Sequence, residues 1–273
     1  GDHRDLHSFP TRRSSDLLKK KLTSSMDMAS RVAKFVDCRS KDVNIRELFI
    51  VEGDSALGAC KQARNPDFQA IIPIRGKILN CLKADYNRIF KSEIITDLIR
   101  VLGCGVEVRT SKTAKDLSSF NLNALKWNKI ILCTDADVDG FQIRTLLLTM
   151  LYRLTPKLIE AHKVFIAESP LYEINTKSET YFAYNESEKD EFIKKIGAEK
   201  YTVQRSKGLG ENEPDMMNFT TMNPKSRRLI KVMPEDAEAT SKMFDVLLGD
   251  DLSGRKEYII ENGYRYVDNL DVS

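Results

Sequence analysis

The run Asp135-Ala136-Asp137-Val138-Asp139-Gly140 places three carboxylates at alternate positions directly after an apolar segment, Ile130-Ile131-Leu132-Cys133. In extended chain, alternate side chains point the same way, so Asp135, Asp137 and Asp139 can converge on one point. Anions that close repel one another unless a cation sits among them, and hard oxygen ligands suit Mg2+. A calcium loop would also begin this way, but it needs a Glu at its twelfth position, where Leu146 stands. Taken alone, the run is compatible with a solvated acidic loop or with a magnesium site at the mouth of a parallel sheet.

The rest of the composition narrows the alternatives. A chain of 273 residues with 41% hydrophobic and 30% charged residues can bury a sizeable core, as one large or two small domains. No apolar stretch approaches the roughly 18 residues a membrane span needs. The net charge of +3 is too small to argue for a polyanionic partner, so local clustering has to carry that case. Cys38, Cys60, Cys81, Cys104 and Cys133 are scattered, with no CxxC pair. That pattern predicts reduced thiols in the cytoplasm and argues against a disulfide framework or a zinc site. His162 is the only histidine after residue 7, which leaves a Ser–His–Asp or Cys–His mechanism poorly supplied.

Residues 1–17, GDHRDLHSFPTRRSSDL, read like one translated frame of a short-read sequencing adapter. They lack the apolar core of a secretory signal; a basic targeting arm is the competing reading. As an artefact they are expected to be disordered, with the natural polypeptide continuing upstream of Leu18.

From Leu18 to about Val36, apolar residues at Leu22, Met26, Ala29 and Val32 predict a helix, followed by a polar connector. Strands are predicted at Glu47–Val51, Gln69–Pro73, Trp127–Thr134 and Val164–Ala167, with Val106–Val108 extended. Helices are predicted after Glu52 through Arg64, over Lys91–Leu102 with a stop at Gly103, and over Gln142–Leu154. Such alternation implies an α/β fold with a mostly parallel sheet covered by helices. Both acidic motifs then fall at carboxyl ends of strands, where open α/β sheets place their ligands. Past Tyr172 the pattern changes to a hairpin strand at Tyr181–Tyr184, a charged helix over Lys189–Ile196 and mainly helix from Val232.

A Glu closing the first strand, Glu52, together with a later DxDxDG resembles the TOPRIM domain, a Rossmann-like parallel sheet of four strands between helices. The motifs EGDSA (52–56), PIRGKILN (73–80), TDADVDG (134–140), IRTLLL (143–148), QRSKGLGE (204–211), MNPKSRR (222–228) and LLGD (247–250) occur in that order. Over Leu18–Ser273 the chain is thereby similar to the C-terminal half of the B-type subunit of bacterial type IIA topoisomerases, gyrase B or its topoisomerase IV counterpart. The resemblance implies a connector from a preceding transducer region (18–45), a TOPRIM metal-binding domain (46–172) and a smaller α+β, mainly helical tail (173–273).

It also implies an activity: paired subunits cleave both strands of double-stranded DNA, pass a second duplex and reseal. The attacking tyrosine belongs to an A-type partner, in a two-plus-two (A2B2) assembly. On that reading Glu52, Asp135 and Asp137 are catalytic and, with Asp139, metal-binding; Mg2+ is the cofactor, two ions in number, for which Mn2+ or Ca2+ can substitute in binding. Lys77, Asn80, Arg75, Gln142 and Lys207 are candidate DNA contacts, and Arg227-Arg228 would extend the same basic surface. Asp54 is either a neighbour of the scissile site or a helix N-cap. ATP enters only through the family's N-terminal region, since GLG at 208–210 is too short for a phosphate loop.

Two positions depart from the family pattern. Phe141-Gln142 stands where Ser-His is common, and Ser206 where an aromatic residue usually precedes KGLGE. Gln142 can hydrogen-bond a phosphate but cannot carry charge. The alternatives are a TOPRIM nuclease or primase-like enzyme, or a noncatalytic DNA- or protein-docking module.

Overall fold

Strand β1 (Glu47–Glu52) is buried on both faces, and its neighbours set the architecture. A computed structural model of the chain describes residues 32–107, 119–206, 208–234 and 236–269. With β2 (Gln69–Ile74), β3 (Lys129–Cys133), β4 (Val164–Ala167) and β8 (Leu229–Lys231), β1 forms a sheet in the order β2-β1-β3-β4-β8. The first four run parallel, as the family resemblance implies; β8 adds an antiparallel edge against β4, which the sequence does not foretell.

Apolar side chains alternate between two packed layers because successive strand residues face opposite sides. Leu48, Ile50, Ile130 and Leu132 pack beneath α2 (Glu93–Leu102) and α3 (Val138–Leu154). Phe49, Val51, Ile131 and Cys133 pack against α1 (Gly53–Ala63), with Met217 and Met222 from the tail. Helix α2 stops where expected: Gly103 takes a left-handed conformation, φ 79°, and its N–H returns to Ile99. Beyond β4, strands β5 (Tyr172–Thr176), β6 (Thr180–Ala183) and β7 (Tyr201–Arg205) make a separate antiparallel sheet in the order β6-β5-β7. Helix α4 (Glu186–Ile196) crosses between β6 and β7; α5 (Ala237–Leu248) and α6 (Leu252–Asn262) follow, and a 3-10 helix over Gly263–Asn269 ends the described chain.

Two expectations need correction. The helix predicted to reach about Val36 does not extend across 32–36: residues 32–35 bend and turn, and Val36 bridges to Ile71. Helix α3 begins at Val138, four residues ahead of Gln142, because the Asp137 side chain accepts a hydrogen bond from Gly140 N (2.7 Å) and starts the helix there. The adapter-like segment, most of the predicted first helix and Val108 lie outside the described residues.

The tail is fastened to the sheet by a buried ion pair. Arg227 reaches Glu47, at the start of β1, through two hydrogen bonds of 2.6 Å each, and each side chain is only 4% exposed. Gln69 also donates to Glu47 (3.0 Å) and to the Met222 carbonyl (2.7 Å), so the carboxylate's oxygens and the tail backbone are both satisfied. Burial raises the Glu47 pKa, but Arg227, Gln69 and Lys129 outweigh it and hold the carboxyl below the usual range. Arg228 instead pairs with Glu188 (2.7 Å) and stacks over Tyr184 (3.9 Å). Neither arginine is therefore spare surface charge.

Breaking a buried pair by removing one partner strands the other's charge. Arg227→Met is expected to cost about 3–5 kcal/mol of stability in chemical denaturation, against about 1 kcal/mol or less for Arg228→Met. Because Glu47's folded pKa lies below its unfolded value of 4.5, its share of the stability is complete above pH 4.5 and lost as pH falls through the folded pKa. Arg227→Met should accordingly flatten the acid limb of the stability curve.

Candidate metal centre

The parallel register pairs Val51 with Cys133, so β1 and β3 end side by side. Their next residues carry acids. Glu52 closes β1, and Asp135 follows β3 after one buried threonine, Thr134. The Asp135 backbone N–H donates to Glu52 Oε2 at 3.1 Å, joining residues 83 positions apart. Both carboxylates are half-buried, whereas Asp137 and Asp139 are exposed.

Alternation of extended chain does not carry all three aspartates to one point. Asp137 is still extended, but the helix has begun by Val138, so Asp139 lies in its first turn. Asp139 Oδ1 pairs there with Lys77 Nζ at 2.9 Å. Gly140 is needed where it stands: a Cβ at this position would lie 2.2 Å from the Asp135 carbonyl oxygen.

A third segment closes over the acids. Asp135 Oδ1 accepts a hydrogen bond from Leu209 N (2.8 Å), in the Gly208-Leu209-Gly210 stretch of the tail. A Cβ on Gly210 would sit 2.4 Å from Ser55 Cβ, so only glycine lets this loop lie against α1. The residue of this motif expected at the site is Lys207, which lies outside the described residues. Leu209 escapes a reading of the sequence because its contribution is a backbone N–H. The two flanking glycines were the available signal, since glycine often marks a close backbone approach.

The electrostatics follow from this crowding. Glu52 has a raised pKa, first through burial and then through the charges of Asp135, Asp137 and Asp139, partly offset by the hydrogen bond from Asp135 N. Asp135 is raised by burial and by Asp137 and Glu211, with the Leu209 N–H opposing. Among the described residues, however, no three acidic, thiol or imidazole groups already form a closed cage for a metal ion. The reason is visible in the partners: Asp137 caps its own helix, Asp139 holds Lys77, and Asp135 and Glu52 each accept a backbone N–H. The donor set is nevertheless all hard oxygen, and its mutual repulsion is of the kind a divalent cation relieves.

Of the other candidates, Arg75 is exposed with its Nε 3.4 Å from Asp54. Asp54 also pairs with Lys34, whose hydrogen bond lowers the Asp54 pKa. Asp54 sits within the first turn of α1, and the N-cap is Glu52, so the N-cap reading of Asp54 fails. Asn80 donates to the Leu248 carbonyl (3.1 Å) and accepts from Leu82 N (3.0 Å), which ties its turn to the tail. Gln142 is exposed on α3.

Known proteins resemble the chain over the same segments. A Toprim domain model matches residues 47–169 and the carboxyl-terminal model of the DNA gyrase B subunit matches 198–260. The fold and its acidic strand ends thus define a Toprim protein. The DNA gyrase B subunit of Thermotoga maritima is 44% identical over 239 residues, 88% of this chain and 36% of the relative. That of Clostridium acetobutylicum is 44% identical over 251 residues (91% and 38%), and that of Mycoplasmoides gallisepticum 41% over 263 (96% and 39%). The chain belongs to the gyrase-B family of type IIA DNA topoisomerase subunits, matching its Toprim-containing C-terminal part. It spans little more than a third of these curated relatives' length, 36–39%. No helix among the described residues is long and apolar enough to cross a membrane.

Because Glu52 binds its proton more tightly folded than unfolded, its ionised form costs stability above the folded pKa and nothing below 4.5. Glu52→Gln is therefore expected to raise the melting temperature modestly at pH 7 without metal, and the gain should vanish near pH 4. Melting curves across that range check the sign.

Proposed function

We propose that this chain supplies the metal-holding carboxylates for DNA cleavage and religation in a type IIA topoisomerase acting by double-strand passage. The observation that supports it best is the meeting of Glu52 with the Asp135 backbone across the ends of β1 and β3. Glu52, Asp135 and Asp137 would hold Mg2+, with Asp139 in a lesser part. Bound there, the cation neutralises charge that builds on the attacking and leaving oxygens of the phosphodiester.

The chain's own residues do the remaining work. Glu52 takes up and returns the proton of the sugar hydroxyl while the metal is absent or loosely bound, the state in which burial and the neighbouring acids raise its proton affinity. Asp137 frames the loop by capping α3, and Leu209 orients Asp135. Lys77 holds Asp139 in the protein alone; duplex DNA offers it a phosphate instead, leaving Asp139 to the metal side. Arg75 and Gln142, both exposed, are the further DNA contacts, and Asn80 positions the turn that carries Lys77. Lys207 is assigned with them on its motif alone.

The attacking tyrosine comes from an A-type subunit, in a two-plus-two assembly with double-stranded DNA. ATP use belongs to a region outside this chain's match to its relatives. A nuclease or primase-like activity is the competing enzymatic reading; it lacks a use for the RGKILN and KGLGE segments that flank the acids.

A full-length B-type chain carrying these residues, paired with an A-type subunit, is expected to cleave and relax supercoiled plasmid only with Mg2+. Asp135→Ala should reduce this on the order of 100-fold or more while the circular dichroism spectrum is unchanged. Unaltered relaxation would remove Asp135 from the chemistry. Lys77→Ala should weaken DNA binding and reduce its salt slope by about 1, measured by fluorescence anisotropy over a salt series.

A further inference from the structure

Helix α3 starts at the acidic cluster, but its other end has no part in the mechanism above. Tyr152 lies about 20 Å along the helix from Asp137. There the tail does not close onto the helix. A cavity of about 340 Å³ opens between α3, the short helix Pro156–Glu160 and the tail over residues 232–244. It stands at the junction of the two matched segments, 47–169 and 198–260, and small-molecule pockets favour such junctions.

Size and lining define what fits. A cavity of roughly 150 Å³ accepts a benzene ring, so this one has room for two fused rings. Phe244 of α5 stacks on Tyr152, with ring centres 4.5 Å apart and planes 21° from parallel, and the half-buried pair forms an aromatic wall. Met233 is 60% exposed beside it, with a flexible thioether that adapts to a flat guest. The charged groups in the lining are all of one sign. Glu160 and Asp236 are exposed and Thr240 adds a hydroxyl, whereas no lysine, arginine or histidine lines the cavity. Neither carboxylate therefore meets a cation across it. Asp236 gives one oxygen to Ala239 N (2.7 Å) as the N-cap of α5, which leaves the other for a guest.

We propose that this cavity binds a small aromatic cation: one or two rings in the recess, with an ammonium or amidinium group at Glu160 and Asp236. The apolar walls take the ring out of water, and the carboxylates attract a positive charge and repel a negative one. The aromatic wall adds a cation–π attraction. A phosphate or other anion is disfavoured by the same two acids, and a neutral ring gains from the walls alone. The site shares no residue with the acidic cluster, so it does not depend on the metal-holding reading.

The test uses the full chain and three indoles that differ in charge: tryptamine, neutral tryptophol and anionic indole-3-propionate. In ligand-observed NMR titrations at pH 7, tryptamine is expected to bind with a Kd of about 0.1–1 mM, about three- to tenfold tighter than tryptophol, with indole-3-propionate weakest. Thr240→Phe fills the recess and should remove tryptamine binding while the circular dichroism spectrum is unchanged. Glu160→Gln combined with Asp236→Asn, which keeps an N-cap, should bind tryptamine and tryptophol equally. Absence of tryptamine binding up to about 10 mM overturns the site. Binding that survives in a folded Thr240→Phe chain lies elsewhere and also overturns it. Equal affinity of the unaltered chain for all three indoles overturns the ligand class. Should Thr240→Phe unfold the chain, the charge-neutral pair decides: loss of the tryptamine preference supports the proposal, and its persistence rules the cavity out.

Discussion

Repulsion between like charges at the neighbouring ends of β1 and β3 is what this molecule is organised around. The parallel register leaves Glu52 and Asp135 adjacent, and half-burial denies them the full screening of water. Each acid is therefore met by a donor or cation: the Asp135 N–H at Glu52, the Leu209 N–H at Asp135, the start of α3 at Asp137 and Lys77 at Asp139. The donors come from widely separated segments. Holding the acids together thus draws the 73–80 turn, the DxDxDG loop and the tail onto one end of the sheet.

The tail's attachment has a second anchor at the opposite end of β1. Glu47 begins the strand and binds Arg227, and Glu52 closes it within reach of the Leu209 loop through Asp135. Between these points Met217 and Met222 fill the layer over Phe49 and Val51. The segments matched by two separate family models, 47–169 and 198–260, accordingly share one core. Strand β8 completes the joint by adding an antiparallel edge to the Toprim sheet.

Much of the fold was legible in the chain because buried parallel strands read as unbroken apolar runs. Leu48–Val51 and Ile130–Cys133 are such runs, and Gly103 ended its helix as a left-handed cap must. Where the reading slipped, a side chain was competing with the local pattern. Asp137 was read as one of three aspartates converging on a single point, yet it also caps Gly140 and so starts α3 four residues early. Arg227 looked like surface charge because a buried partner 180 positions away cannot be read from neighbouring residues.

That acids would stand at the carboxyl ends of buried strands was settled in the order of residues, since apolar periodicity and a terminal carboxylate are both local properties. The ordered motifs that mark the family were legible there too. The meeting of Glu52 with the Asp135 backbone, the closure of Leu209 over it and the stacking of Phe244 on Tyr152 of α3 were fixed at a later level, by folding. Those contacts depend on strand register and on the crossing of α3 over the sheet, and the energy of a hydrogen bond or buried charge is set by the neighbours that folding brings to it.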